Sequence, residues 1–199
     1  MALVDRAQRI ITAPAAEWPV ISAEPVTIPA LYTGYIIPLA LIGPVCALIS
    51  SVLFVHRPGI LIAAIVIAAL GFALELANIF IVALIAEALA PSFNGVKDRL
   101  AALKWIAYAA TPKWVAGLAN LIPVVGGLIA FAGALYSLYV LYLGGVPMMK
   151  VPQDKSVGYV VVVILIAIAV SIVIGFAIAA VFAAMMVGAA ISSGAFHSP

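Results

Sequence analysis

The chain has 199 residues, of which 67% are hydrophobic and 8% charged, and its formal net charge is +2. A water-soluble domain has about a quarter of its residues charged, so this composition excludes one and points to a polytopic membrane protein. The small net charge, with no basic patch interleaved with aromatics, also argues against nucleic acid as a partner.

The first 28 residues, "MALVDRAQRIITAPAAEWPVISAEPVTI", are broken by prolines and acids and contain no uninterrupted apolar run of the kind a signal peptide needs. Leu3, Val4, Ala7, Ile10 and Ile11 fall on one helical face, opposite Asp5, Arg6, Gln8 and Arg9. This spacing predicts a short interfacial helix on the membrane surface, with Trp18 at headgroup depth. Residues 1–28 are therefore read as an N-terminal interfacial segment, and 29–199 as one transmembrane domain.

A span needs about 20 apolar residues. Residues 30–55 form the first candidate, ended by "HRPG", and residues 60–89 the second, followed by "APSFNGVKDR". The next apolar stretch, 101–143, would make about 65 Å of helix, twice the hydrocarbon thickness of about 30 Å, and must fold back. Asn120, Pro123, Gly126 and Gly127 place that break in "NLIPVVGG", giving spans 101–122 and 124–143. Residues 157–191 complete an all-α bundle of five. Pro112 removes one helical hydrogen bond inside the third span and predicts a kink there. The neighbouring Thr111 hydroxyl is placed to answer a freed carbonyl.

The positive charges orient this bundle. Five spans with the N-terminus inside put Arg6, Arg9, Lys97, Arg99, Lys104, Lys150 and Lys155 at the cytoplasmic side, against Arg57 and Lys113 outside. That asymmetry follows the positive-inside rule, with the C-terminus out.

Glu75 and Asn78 in the second span and Lys113 in the third form the candidate intramembrane polar site. A charge at mid-bilayer costs about 2.5–3.5 kcal/mol on insertion scales. Antiparallel neighbours would let Lys113 reach Glu75 across an offset of roughly 8 Å. A protonated Glu75 and an outward-snorkelling Lys113 are the alternatives, and a transport or proton-relay role is a further one. Glu87 lies near the cytoplasmic end of the second span. Small residues recur every four positions at Gly126, Ala130 and Ala134, and again at Ser171, Gly175, Ala179 and Ala183. Such stripes predict close helix packing, within the chain or between copies in a homo-oligomer.

No catalytic motif is present. HExxH, GxxxxGK[ST], GxSxG and the dinucleotide-binding glycine fingerprint are all missing, and "GGVPMMK" lacks the phosphate-loop spacing. His56 and His197 stand alone, and Cys46, the single cysteine, sits in an apolar run as a structural thiol. The expectation is a non-enzyme with no cofactor or metal.

"PAAEWPVI", "LYTGYIIPLALIGP", "AYAATPKWVAGLANLIPVVGGL" and "YSLYVLYLGGVPMMKVPQDKSVGYVVVV" together resemble the bacterial branch of the Yip (Ypt-interacting protein) family of five-span membrane proteins. The resemblance implies a cytoplasmic N-terminus and a multi-pass protein of the bacterial inner membrane, with no catalytic residues. Eukaryotic members act in vesicle traffic with prenylated Rab-type GTPases. Their "DLYGP"-type motif is absent here, where "LYTGY" shares only a fragment. The expected role is a membrane scaffold or organiser acting on lipids or other membrane proteins. The alternative is a small transporter or channel using Glu75, Asn78 and Lys113.

Overall fold

The computed structural model describes residues 2–54 and 58–192; His56, Arg57 and His197 lie outside them. All regular secondary structure among the described residues is helical. The chain opens with α1 (Leu3–Thr12) and α2 (Pro14–Ala23). A first long run follows, from α3 (Ile28–Leu31) through one π-turn (Tyr32–Ile36) and α4 (Ile37–Ala40) to α5 (Ile42–Phe54). Then come α6 (Pro58–Leu89), α7 (Arg99–Ala109), α8 (Thr111–Ala116), a 3-10 turn (Gly117–Leu121), α9 (Val125–Met149) and α10 (Gln153–Ser192).

Among the described residues, four helical stretches are long and apolar enough to cross a membrane: Ile28–Phe54, Leu61–Phe93, Val125–Met149 and Gln153–Gly188. The expected third span, 101–122, is not one helix. It is α7, α8 and the 3-10 turn in series, with a break at Ala110. Proline explains the break: Pro112 has no N–H to give the carbonyl of Tyr108 four residues back. The Thr111 hydroxyl donates to that same carbonyl instead, at 2.7 Å. Thr111 Oγ1 then accepts from the Tyr35 hydroxyl at 2.7 Å, because its own proton is already used. The π-turn at Tyr32–Ile36 has a related origin, since Pro38 leaves the Gly34 carbonyl without its helical partner and a wider turn relieves the crowding.

Side-chain contacts fix the relative directions. Arg99 meets Glu87 and Lys113 meets Glu75, while Trp105 meets Leu141 and Lys113 meets Ser137, so the α7–α8 run lies antiparallel to both α6 and α9. Tyr159 reaches the carbonyl of Ala86 at 2.8 Å, while Gly71 faces Ile178, so α10 runs opposite to α6. The α7–α8 run therefore traverses the bundle as a fifth helical segment, and it is the enclosed one. Every residue from Ala102 to Ala109 is buried. In contrast, α5, α6 and α10 present large apolar side chains outward, among them Val45, Ile49, Ile62, Ile65, Val173 and Phe176. Helices apolar on their outer faces belong in lipid.

The N-terminal segment forms two helices, and it does not rest on an open surface. Ile10, Trp18 and Ile21 have no exposure at all. The Trp18 indole donates to the Val140 carbonyl at 3.2 Å, Ser22 donates to the Pro147 carbonyl at 3.2 Å, and the Tyr136 hydroxyl reaches the Ile11 carbonyl at 2.7 Å. Trp18 is thus a core residue against α9. On the apolar face of α1, Ala7 and Ile10 are buried against protein while Val4 stays exposed.

Gly144 and Gly145 make this packing fit. A Cβ at 144 would sit 2.6 Å from atoms of both Trp105 and Trp18, and one at 145 would sit 2.2 Å from Val160. The two indoles lie in the space that these glycines leave, and their N–H groups answer consecutive carbonyls, Val140 and Leu141, on the same helix. At the other end of α9, a Cβ at Gly126 would fall 2.2 Å from the Ala119 carbonyl oxygen, so the hairpin between α8 and α9 closes only around a bare backbone. Gly117 and Gly43 allow a similar backbone approach between the first and third runs.

Gly126→Ala is therefore expected to destabilise the purified protein by about 1–3 kcal/mol, the usual cost of overpacking. Gly175→Ala, where the same atom enters open space, leaves the melting temperature in detergent unchanged. Equal melting temperatures for the two variants would contradict the hairpin geometry.

A candidate polar cleft inside the bundle

Glu75, Asn78 and Lys113 come together. Lys113 Nζ donates to Glu75 Oε1 at 2.7 Å, and the Trp114 indole donates to the same oxygen at 2.9 Å. The backbone N–H of Lys113 is near the position that Pro112 disturbs, and it donates to Ser137 Oγ of α9 at 3.0 Å. Asn78 is buried one turn along α6 from Glu75, and its Oδ1 has no hydrogen-bond partner among the described residues. Placing these groups needs the antiparallel run of α6 beside α8, with α9 closing behind.

The cluster lines a cleft of about 510 Å³. Its floor is α6 with α7 and α8, and its walls are α9 and α10. Apart from Glu75, Asn78, Lys113, Ser137 and Ser171, the lining is apolar, including Phe131, Leu135 and Ile172. Those three side chains are also exposed on the outside of the bundle. The ion pair is not sealed off: the Lys113 and Glu75 side chains keep 34% and 22% of their exposure.

The small-residue stripes divide. Gly126 is buried in the hairpin, and Ala130 and Ala134 are half-buried. Ala134 belongs to the cleft wall. Ser171, Gly175, Ala179 and Ala183 are exposed along α10, and a Cβ at Gly175 would meet no atom within 4 Å. Close packing inside the chain is instead carried by Gly43, Gly117, Gly133, Gly144 and Gly145. The adjacent glycines in "LGGV" are the sequence signal for two of these, since a pair inside an apolar run marks close approach.

Other buried charges are answered locally. Arg6 is buried and donates to both Glu17 and Glu24, with its guanidinium 5.9 Å from the centre of the Tyr108 ring. Sequence periodicity puts Arg6 on the polar face of α1; the two glutamates that hold it lie on and just after α2. Lys104 gives its ammonium to the Glu24 carbonyl at 2.8 Å and the Ser22 carbonyl at 3.5 Å, capping the end of α2. Glu87 accepts from Arg99 at 2.9 Å.

The fold and the cleft define an all-α polytopic membrane protein. The Yip1 domain family matches residues 9–175, most of the chain, and the chain belongs to that family. No curated protein and no solved structure matches it.

Removing one partner of the Glu75–Lys113 pair leaves a charge without its counter-ion in a weakly polar setting. Glu75→Gln and Lys113→Met are each expected to lower stability in detergent by about 1–3 kcal/mol. The double variant loses less than the sum, by about 0.5–3 kcal/mol of coupling. Chemical denaturation of the four proteins measures this, and strict additivity would contradict the pairing.

Proposed function

We propose that this protein is a non-enzymatic membrane scaffold or organiser, with its N-terminus in the cytoplasm of a bacterium and its C-terminus outside, that works through lipids and membrane-protein partners. The observation that carries the reading is a cluster of exposed cations at one end of the bundle. The Val96 N–H donates to the Met149 carbonyl at 3.0 Å, which ties the α6–α7 loop to the α9–α10 loop. Lys97 and Lys150 in these connections, and Arg99 and Lys155 in the first turns of α7 and α10, are all exposed. Each such cation near an anionic leaflet contributes about 1 kcal/mol, and the positive-inside rule puts that end in the cytoplasm.

A transporter using Glu75, Asn78 and Lys113 is the second reading, favoured by their sharing one cleft. Against it, the lining is chiefly apolar, and the two charges already neutralise one another. An ion path needs polar groups in succession along its length.

Proteoliposomes separate the two. With a preset pH gradient, native protein and Glu75→Gln protein are expected to leak equally. A gradient that collapses with native protein and survives with the variant would replace the scaffold by the transporter. In the same vesicles, the Lys97→Gln, Lys150→Gln and Lys155→Gln triple variant is expected to retain fewer anionic lipids on extraction, counted by native mass spectrometry. An unchanged count would remove the basic end as a lipid contact.

A further inference from the structure

We propose that the cleft between α9 and α10 is a binding site for a bilayer lipid that has one apolar chain and an uncharged, hydrogen-bonding head such as a hydroxyl. The proposal rests on the lipid-partner reading above and gives the lipid a chemistry. The cleft's volume of about 510 Å³ lies within the range of about 300–1,000 Å³ typical of small-molecule sites. Its make-up is also typical, with apolar walls and a few convergent polar groups. Phe131, Leu135 and Ile172 both line the cleft and face outward, so an occupant arrives from the bilayer and its chain lies along them.

The polar floor selects the head. Lys113 Nζ has three donors and uses one on Glu75. Lys113 and Trp114 both donate to Glu75 Oε1, so neither occupies Oε2, and Asn78 lies against the same carboxylate. Asn78 adds a buried Oδ1 with no partner among the described residues. A hydroxyl both accepts and donates, so it is matched by a spare ammonium N–H and a spare carboxylate oxygen. Charge decides against the alternatives. Glu75 and Lys113 form a neutral pair, and an anionic or cationic head would bring a charge that has no counter-ion there.

The test uses the full chain in phosphatidylethanolamine and phosphatidylglycerol vesicles. Two photoactivatable probes carry the same diazirine-bearing acyl chain, one a monoacylglycerol and the other a lysophosphatidic acid. Monoacylglycerol is expected to label α9 and α10 around Phe131, Leu135 and Ile172, in preference to the charged probe. Ala134→Phe, which fills the cleft from its wall, is expected to cut that labelling roughly five-fold, the scale of losing about one methylene's worth of buried chain contact. The Glu75→Gln, Lys113→Met double variant keeps the cleft and is expected to lose the preference between probes. Unchanged labelling in a folded Ala134→Phe protein, or preference for the charged probe, would overturn the proposal. Should Ala134→Phe not fold, the double variant decides: a preference that persists without the ion pair overturns the site. Failure here leaves the scaffold reading standing, whereas a Glu75-dependent proton leak removes the scaffold and leaves this labelling test unaffected.

Discussion

The enclosure of α7 is the constraint on which the other contacts depend. Lipid offers its helices no hydrophobic drive to associate, so the bundle must hold itself by close packing and hydrogen bonds. Along α7 the two are combined. Trp105 seats against Gly144 and Gly145 and donates to Leu141, Lys104 caps α2, and Tyr108 packs against Tyr35 with ring centres 4.4 Å apart. These side chains bring α9, the N-terminal helices and the first long run onto a single axis. Tyr159 stacks on Trp105 and draws in α10 as well.

Breaking the axis after Ala109 is what makes the polar cleft. A straight helix through residue 112 would bond its own backbone and offer nothing sideways. With Pro112 in place, the freed groups turn to neighbours: Tyr108 and Tyr35 are answered through Thr111, and the Lys113 N–H through Ser137. The Lys113 side chain then meets Glu75 on α6. Between α9 and α10 beside this point lies an apolar gap with the ion pair at its base. One residue's missing N–H therefore links local geometry, bundle packing and the proposed lipid site.

Class, helix content and the hairpin before α9 are legible in the sequence because they follow from composition, span length and the punctuation at Asn120, Pro123 and Gly126. The proximity of Glu75 and Lys113 follows from arithmetic on rise per residue. Periodicity is a poorer guide to what each helical face touches. The apolar side of α1 reads the same whether it meets lipid or protein, and nothing in the sequence around Trp18 on α2 signals that it packs against α9. The stripe on α10 has small-residue spacing without a facing helix, because alanine-rich spans contain that spacing whether or not they use it. The glycines at 43, 117, 144 and 145 are defined by partners far along the chain, such as Trp18 for Gly144. Local sequence does not carry that information.

Labelling from the lipid phase by a small membrane-dissolved carbene precursor probes the enclosed axis itself. In vesicles, an enclosed α7 requires modification at Val45, Ile49, Ile65, Val173 and Phe176, whose side chains face outward, and none at Ala102, Leu103, Lys104, Trp105 and Ala107, the buried α7 residues that do not line the cleft. Modification of α7 at the level of α10 would show that it faces lipid, and would contradict the arrangement on which the cleft and its ion pair depend.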